Sequence, residues 1–464
     1  MNADLHWKKI GRVPHHGICL PLSALRTQNS CGIGEFLDLL PLIDWCKKIK
    51  LDCLQLLPLN DSGSDPSPYN PISSCALDPV YLSLSDLGIS PEPFRSLTQQ
   101  QRVNRQDVWQ LKKTHLQSLF EQTFAALSKT PAYRQFLIAN PWLTGDDFSL
   151  FLQFHCFAQM ERVRAHATQQ GFFLKGDIPI LLSPDSIDVR THPSLFRSDL
   201  AAGAPPDRYN PFGQKWGFPL YNWDTMRQDH FAWWKQRLHV AERLYHLYRI
   251  DHVVGLFRMW GIAKDENPLK GSFFPPDPKD WFIQGKEILE MMLKATSLLP
   301  IAEDLGTIPP EVYPILKELG ICGTKVIRWQ KQGNSYLPFH QYEPLSMTTL
   351  STPDMDPLEL WWRKTPAESV PFAAFMGWPY HPILTQKQRF ETLRAAHHTS
   401  SLFHINLLQE YLALFPKLVW PNPEDERINL PGTLLPTNWT YRFRPYVEEI
   451  VAHQGLAESF YKIF

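Results

Sequence analysis

Three acidic stretches, each following a short apolar or β-branched run, constrain this chain more than any other feature. They are Arg249-Ile250-Asp251-His252, Ala302-Glu303-Asp304-Leu305-Gly306 and Ser351-Thr352-Pro353-Asp354-Met355. Each places a carboxylate where a strand would end. The two gaps between successive acids are nearly equal and long enough for one or two strand–helix units with elaborated loops. Carboxylates delivered from the ends of different strands onto one face are the hallmark of a (β/α)8 barrel enzyme. Two or three of them converging on one point is the arrangement that cleaves a glycosidic bond.

The rest of the chain alternates accordingly. Residues 34–50 space apolar side chains for one helix face and end in a basic cluster, Lys47, Lys48 and Lys50, that suits a helix C-terminus. A Leu-rich run, Leu51 to Leu59, then reads as a buried strand, and a polar loop follows with Asp65-Pro66-Ser67-Pro68-Tyr69-Asn70 at its centre. Further helix–strand pairs run from Phe231 into Tyr248-Arg249-Ile250-Asp251, from Lys286 into Pro300-Ile301-Ala302-Glu303, and from Pro309 into Thr324-Lys325-Val326. Between them, residues 90–170 are charged, amphipathic and poor in strand signals, which predicts a mainly helical insertion within the barrel. Residues 183–221 carry six prolines and three glycines and read as a long active-site loop. The expected architecture is therefore α/β: a single (β/α)8 TIM-type barrel over residues 1–464, with an inserted helical subdomain. The stretch from Phe372 to Tyr411 gives no clear reading.

Composition narrows the function. Lys and Arg total 46 against 47 Asp and Glu, a net charge of −1, so there is no electrostatic basis for binding nucleic acid or an anionic membrane surface. No apolar run is long enough to span a bilayer, and Met1 to Arg12 lacks the apolar core of a signal peptide. Seven cysteines without CxxC spacing read as reduced thiols in a cytoplasmic enzyme, not as a zinc site. Sixteen tryptophans offer flat apolar faces that suit the C–H face of a sugar ring as well as a protein core. Neither a metal nor a cofactor is expected. On a regular strand neighbouring side chains face opposite ways, so only one of Glu303 and Asp304, and one of Asp251 and His252, can point into a common site.

These residues resemble the amylomaltases, the disproportionating 4-α-glucanotransferases of the α-amylase clan. The resemblance is carried by Gly32-Ile33-Gly34, Gln55-Leu56-Leu57-Pro58-Leu59, Ser67-Pro68-Tyr69, Gly176-Asp177-Ile178-Pro179, Pro205-Pro206-Asp207 and Gly213-Gln214-Lys215-Trp216-Gly217. It continues through Arg249-Ile250-Asp251-His252, Ala302-Glu303-Asp304-Leu305-Gly306, Gly323-Thr324-Lys325-Val326, Arg427-Ile428-Asn429 and Asn438-Trp439, in family order over nearly the whole chain. It implies Asp251 as nucleophile, Glu303 as general acid/base and Asp354 as the third acid that binds and distorts the sugar. Arg249 would keep Asp251 ionised. Tyr69, Trp216 and Trp329 would stack on or border glucose rings, Asp177 and Asn429 would bind hydroxyls, and the loop from Ala204 to Trp216 would shield the site from water. The implied partners are α-1,4-glucans: maltose, maltodextrins and glycogen.

The chain departs from the family at one position. The third motif reads Thr352-Pro353-Asp354 where the family has Thr-His-Asp, and the missing histidine would hydrogen-bond sugar hydroxyls beside the cleaved bond. Loss of such a bond, about 1–3 kcal/mol, slows a reaction roughly 5- to 150-fold. A slowed or subsite-shifted transferase is the reading that keeps all three acids in use. An α-glucan hydrolase and a catalytically weak or dead glucan-binding protein are the alternatives.

Overall fold

The computed structural model describes residues 2–206 and 211–464. Eight parallel strands form the central sheet: β1 (His15–Leu20), β2 (Cys53–Leu56), β3 (Phe173–Ile178), β4 (Leu247–Ile250), β5 (Leu299–Ala302), β6 (Gly323–Val326), β7 (Ser346–Thr349) and β8 (Phe403–Leu407). Their spatial order follows the chain, with β8 paired to β1. The remaining seam is closed by a parallel bridge between Ile301 and Cys322 and by the Ala302 N–H donating to the Cys322 carbonyl at 2.7 Å. The result is the (β/α)8 barrel expected from the sequence, and all three acidic stretches leave the same, C-terminal, rim.

Buried faces explain why the elements form. Strand β2 is buried at every position, and the helix before it, Leu39–Lys48, buries Leu42, Ile43, Trp45 and Cys46 while Lys47 and Lys48 sit in its last turn. Between β2 and β3 the chain passes through helices Arg95–Gln99, Arg105–Leu127, Pro131–Ala139 and Asp147–Gln169. One buried ion pair fastens this layer to the barrel. Lys112, fully buried, reaches Glu35 at 2.5 Å and donates to the carbonyls of Val80 and Leu82 at 2.8 Å each. A buried ammonium with three acceptors is satisfied, and removing either Lys112 or Glu35 leaves the other without its ionic partner. All seven cysteines are buried and free of disulfides.

Residues 183–221 differ from the expected loop. They contain a helix, Ile187–Thr191, and a hairpin of strands Phe196–Ala204 and Gln214–Tyr221. Strands Met259–Ala263 and Ser272–Phe274 extend the hairpin into a four-stranded antiparallel sheet beside the barrel mouth. The hairpin strands carry Gly217 and Pro219, which weaken a local strand signal. Their order comes from the pairing of Phe196–Ala204 with Met259–Ala263, about sixty residues later. The unassigned stretch 372–411 holds the end of helix Pro366–Phe375, which runs through Pro371, then helix Gln386–His397 and strand β8.

Candidate active site

A cleft of about 870 Å³ opens at the C-terminal rim of the barrel, and Tyr69, Trp216, Arg249, Asp251, Glu303, Trp329, Asp354 and Asn429 all line it. The three acids therefore share one hollow. They arrive from three places: Asp251 just past β4, Glu303 just past β5, and Asp354 on the loop after β7.

Arg249, on β4 and two residues before Asp251, organises the group. Its Nη1 lies 2.8 Å from Asp251 Oδ1 and 2.9 Å from Asp177 Oδ1, and its Nη2 lies 3.5 Å from Glu303 Oε2. One guanidinium thus touches three carboxylates in a mostly buried setting, and its proton is held more firmly than usual despite burial. Asp251 Oδ2 also accepts the Ile180 N–H at 3.1 Å, which fixes the plane of the carboxylate.

Glu303 sits differently. Its Oε2 accepts the His252 N–H at 2.8 Å and its Oε1 accepts the Leu305 N–H at 3.2 Å. His252 adopts a φ of 42°, a left-handed turn that non-glycine residues rarely take, and this turn aims its N–H across at Glu303. Burial dominates the titration of Glu303. Arg249 pulls its pKa down and Asp251 pushes it up, and the net result is a rise to about 8. Glu303 is therefore a protonated acid at neutral pH, beside an aspartate that is paired with a guanidinium. Two carboxyl groups with such opposed environments are suited to acid and nucleophile roles. Asp304 points the other way, as alternation requires. It is buried and accepts the Thr324 N–H at 2.5 Å, with Lys325 at 3.5 Å.

Asp354 is exposed on the cleft side and receives a 2.6 Å hydrogen bond from Asn429 Nδ2. Its loop is held from below by Glu410, which is 1 % exposed. Glu410 Oε1 accepts both the Ser351 hydroxyl at 3.0 Å and the Leu358 N–H at 2.8 Å, so one oxygen ties together the two ends of the loop. Arg427 and Arg328 bind Asp356 on the same loop. Glu410→Ala is expected to lower kcat on maltotriose by about ten- to a hundredfold through misplacement of Asp354, with KM changed far less. Glu410→Gln keeps an oxygen for both donors and should retain most activity; equal losses in the two variants would contradict the tether.

Asp177, expected to bind hydroxyls, is not on the cleft wall. It is fully buried behind Arg249, and its oxygens are engaged by that guanidinium and by the Tyr69 hydroxyl at 2.8 Å. Gly176 lets strand β3 come this close, since a Cβ there would lie 2.4 Å from the Tyr245 ring. In the structure Asp177 is held by Tyr69 and Arg249 and is not among the residues that line the cleft. Asn429 does line the cleft, and its Nδ2 donates to Asp354. Trp329 stands at the rim, 42 % exposed, and Trp216 packs edge-on to His252 at 5.3 Å. Pro353 is buried between Thr352 and Asp354, both of which line the cleft. Of the expected shielding loop from Ala204 to Trp216, residues 207–210, including Asp207 of the Pro-Pro-Asp motif, lie outside the described residues.

Three residues of the site were missed by sequence reasoning. Trp439, with a φ of 61°, lines the cleft and packs against Tyr69 at 5.4 Å. Its place in the Asn438-Trp439 motif was the available signal. The His252 backbone and the Glu410 carboxylate had none, because each acts through a partner remote in sequence.

The 4-alpha-glucanotransferase family model matches residues 20–151 and 144–448. A 4-alpha-glucanotransferase from Chlamydia muridarum is 43% identical over 99% of this chain and 96% of its own length. That of Chlamydia caviae is 42% identical over 100% and 97%. The structure of an amylomaltase from Streptococcus agalactiae in complex with acarbose has a TM-score of 0.82 at 22% identity, covering 97% of this chain and 98% of that one, and so shares the fold. With its model matched over most of the sequence and relatives this similar from end to end, the chain belongs to the 4-alpha-glucanotransferase family.

Proposed function

We propose that Asp251, Glu303 and Asp354 carry out the family's transfer reaction by retaining double displacement on α-1,4-glucans. Asp251 attacks the anomeric carbon of the donor while Glu303 gives its proton to the leaving oxygen. The glucosidic bond breaks, a glucosyl or glucanosyl ester forms on Asp251, and the shortened glucan leaves. Glu303, now ionised, takes the proton of an acceptor 4-hydroxyl, whose oxygen attacks the anomeric carbon; the bond from that carbon to the Asp251 oxygen breaks, freeing the carboxylate and restoring the α-1,4 linkage. A separation of about 5–5.5 Å between the two carboxyl groups is what this route requires. Asp354 grips the sugar at the cleaved bond. Tyr69, Trp216, Trp329 and Trp439 border glucose rings, and the loop from Ala204 to Trp216 keeps water from competing with the acceptor.

The arrangement that supports this reading is the pair of opposed carboxyl environments in one cleft: Glu303 protonated by burial, Asp251 2.8 Å from Arg249. Incubation with maltotriose tests it. A ladder of longer glucans together with glucose is the expected result, and shorter sugars alone would mean hydrolysis. Hydrolysis and mere binding are not favoured, since the full-length relatives are transferases by name. Maltose, maltodextrins and glycogen are the proposed donors and acceptors.

Pro353 offers the sugar no hydrogen bond, whereas an imidazole at 353 would extend beyond the proline ring between two cleft-lining neighbours. Pro353→His is expected to raise maltotriose turnover, by at most roughly 5- to 150-fold. Unchanged turnover would mean that Pro353 does not slow transfer.

A further inference from the structure

A second cleft, of about 560 Å³, lies beside the first and takes no part in the chemistry above. It sits between the four-stranded sheet and helix Pro278–Ala295. Two features join the clefts. Strand Gln214–Tyr221 puts Gln214, Trp216 and Phe218 on the catalytic cleft and Leu220 and Tyr221 on the second one. Leu181 lines both, so the partition at that point is one side chain thick.

The chemistry of the second cleft is selective. Its floor is apolar and aromatic: Leu220, Tyr221 and Met259 are buried, and Trp223 and Phe274 are half-buried. Trp223 stacks on Trp234 at 6.1 Å and also touches Tyr221 at 5.0 Å. The rim carries both signs. Arg227 bridges Asp224 and Glu287 at 2.7 Å each, and Asp280 is exposed on the first turn of helix Pro278–Ala295. A rim of mixed sign favours neither an anion nor a cation. It suits hydroxyl groups, which donate and accept at once, over rings whose C–H faces lie on aromatics. The volume is within the range of small-molecule sites.

We propose that this cleft holds a neighbouring stretch of the same α-1,4-glucan, or a second chain of it, and so retains long glucans beside the catalytic cleft. The inference rests on the family's substrate and not on the roles proposed for the three acids, so it survives if those roles are reassigned.

Native gels containing glycogen or amylose test it, alongside maltotriose kinetics. Trp223→Ala is expected to weaken retardation by glycogen by about three- to tenfold, with kcat and KM on maltotriose within about twofold of wild type. Ile283→Arg, at a position 69 % exposed on the cleft wall, is the variant least able to disturb folding and should act in the same direction. Unchanged retardation in both variants overturns the proposal. So does a parallel loss of maltotriose turnover, which would make the cleft a support of the catalytic site. A dimer in wild type that Ile283→Arg dissociates would assign the cleft to a second copy of the chain and equally overturn it.

Discussion

Asp251→Asn is expected to lower kcat/KM on maltotriose by about four orders of magnitude or more, with the fold and the affinity for glucan retained. Loss of a nucleophile that works as a unit with its acid removes nearly all of the chemical acceleration and leaves only binding and transition-state electrostatics. The substitution is isosteric. Asn keeps the shape but has a single oxygen for two donors, the Ile180 N–H at 3.1 Å and Arg249 Nη1 at 2.8 Å, so one of these two contacts is lost. Asp251→Gly offers a sharper readout. With α-glucosyl fluoride as donor, fluoride leaves without an acid, and added azide can enter the space the carboxylate vacates. The product should be β-glucosyl azide, inverted, because one displacement replaces two. An α-azide from this variant would mean that another residue forms the intermediate.

Glu303→Gln is the second large expected effect. General acid–base catalysis contributes about 10²- to 10⁴-fold, and the loss should fall at the upper end for glucan donors, whose leaving group is a sugar alkoxide. The loss should be far smaller for α-glucosyl fluoride in the first step. The pH profile carries the same information. Free Glu303 is protonated below about 8, so kcat/KM of the wild type should fall on the alkaline side with an apparent pKa near that value. In Glu303→Gln that limb should vanish. The substitution should change stability in the opposite direction to activity. A carboxyl whose pKa is raised on folding from 4.5 to about 8 contributes stability at low pH, and this is lost as pH climbs through 8. Gln has no proton to lose. The variant should therefore gain a few degrees in Tm over wild type at pH 9 and nothing at pH 4. A gain at both pH values would point to packing in place of ionisation.

The parts of this molecule legible in the sequence are those that depend on local pattern. Strand exits at Asp251 and Glu303 stand out because apolar runs end there, and strand alternation correctly separates Glu303 from Asp304. The helices Arg105–Leu127 and Asp147–Gln169 are legible from their charge and their lack of strand signals. What failed depends on contacts across the chain. The hairpin in 183–221 is ordered by pairing with Met259–Ala263, and no window around its Gly and Pro residues shows this. Asp177 has the sequence of a cleft residue on a barrel strand, yet the Tyr69 hydroxyl and Arg249 occupy it. Asn429 was placed in the site, but that it would hold Asp354, 75 residues earlier, could not be read. Glu410 lies on a short helix after β8 in the stretch that gave no clear reading, and only the fold shows both ends of the Asp354 loop meeting its carboxylate.

In this mechanism a sugar is carried, for part of each cycle, on one carboxylate oxygen of Asp251. Glu303→Gln loaded with α-glucosyl fluoride should accumulate that species, since the ester forms readily and no base remains to speed its transfer. Intact mass measurement at low pH, followed by peptide mapping, should find a single added glucosyl group, located on the Asp251 side chain. An adduct on any other carboxylate, or fluoride released in bursts without any adduct, would contradict the account.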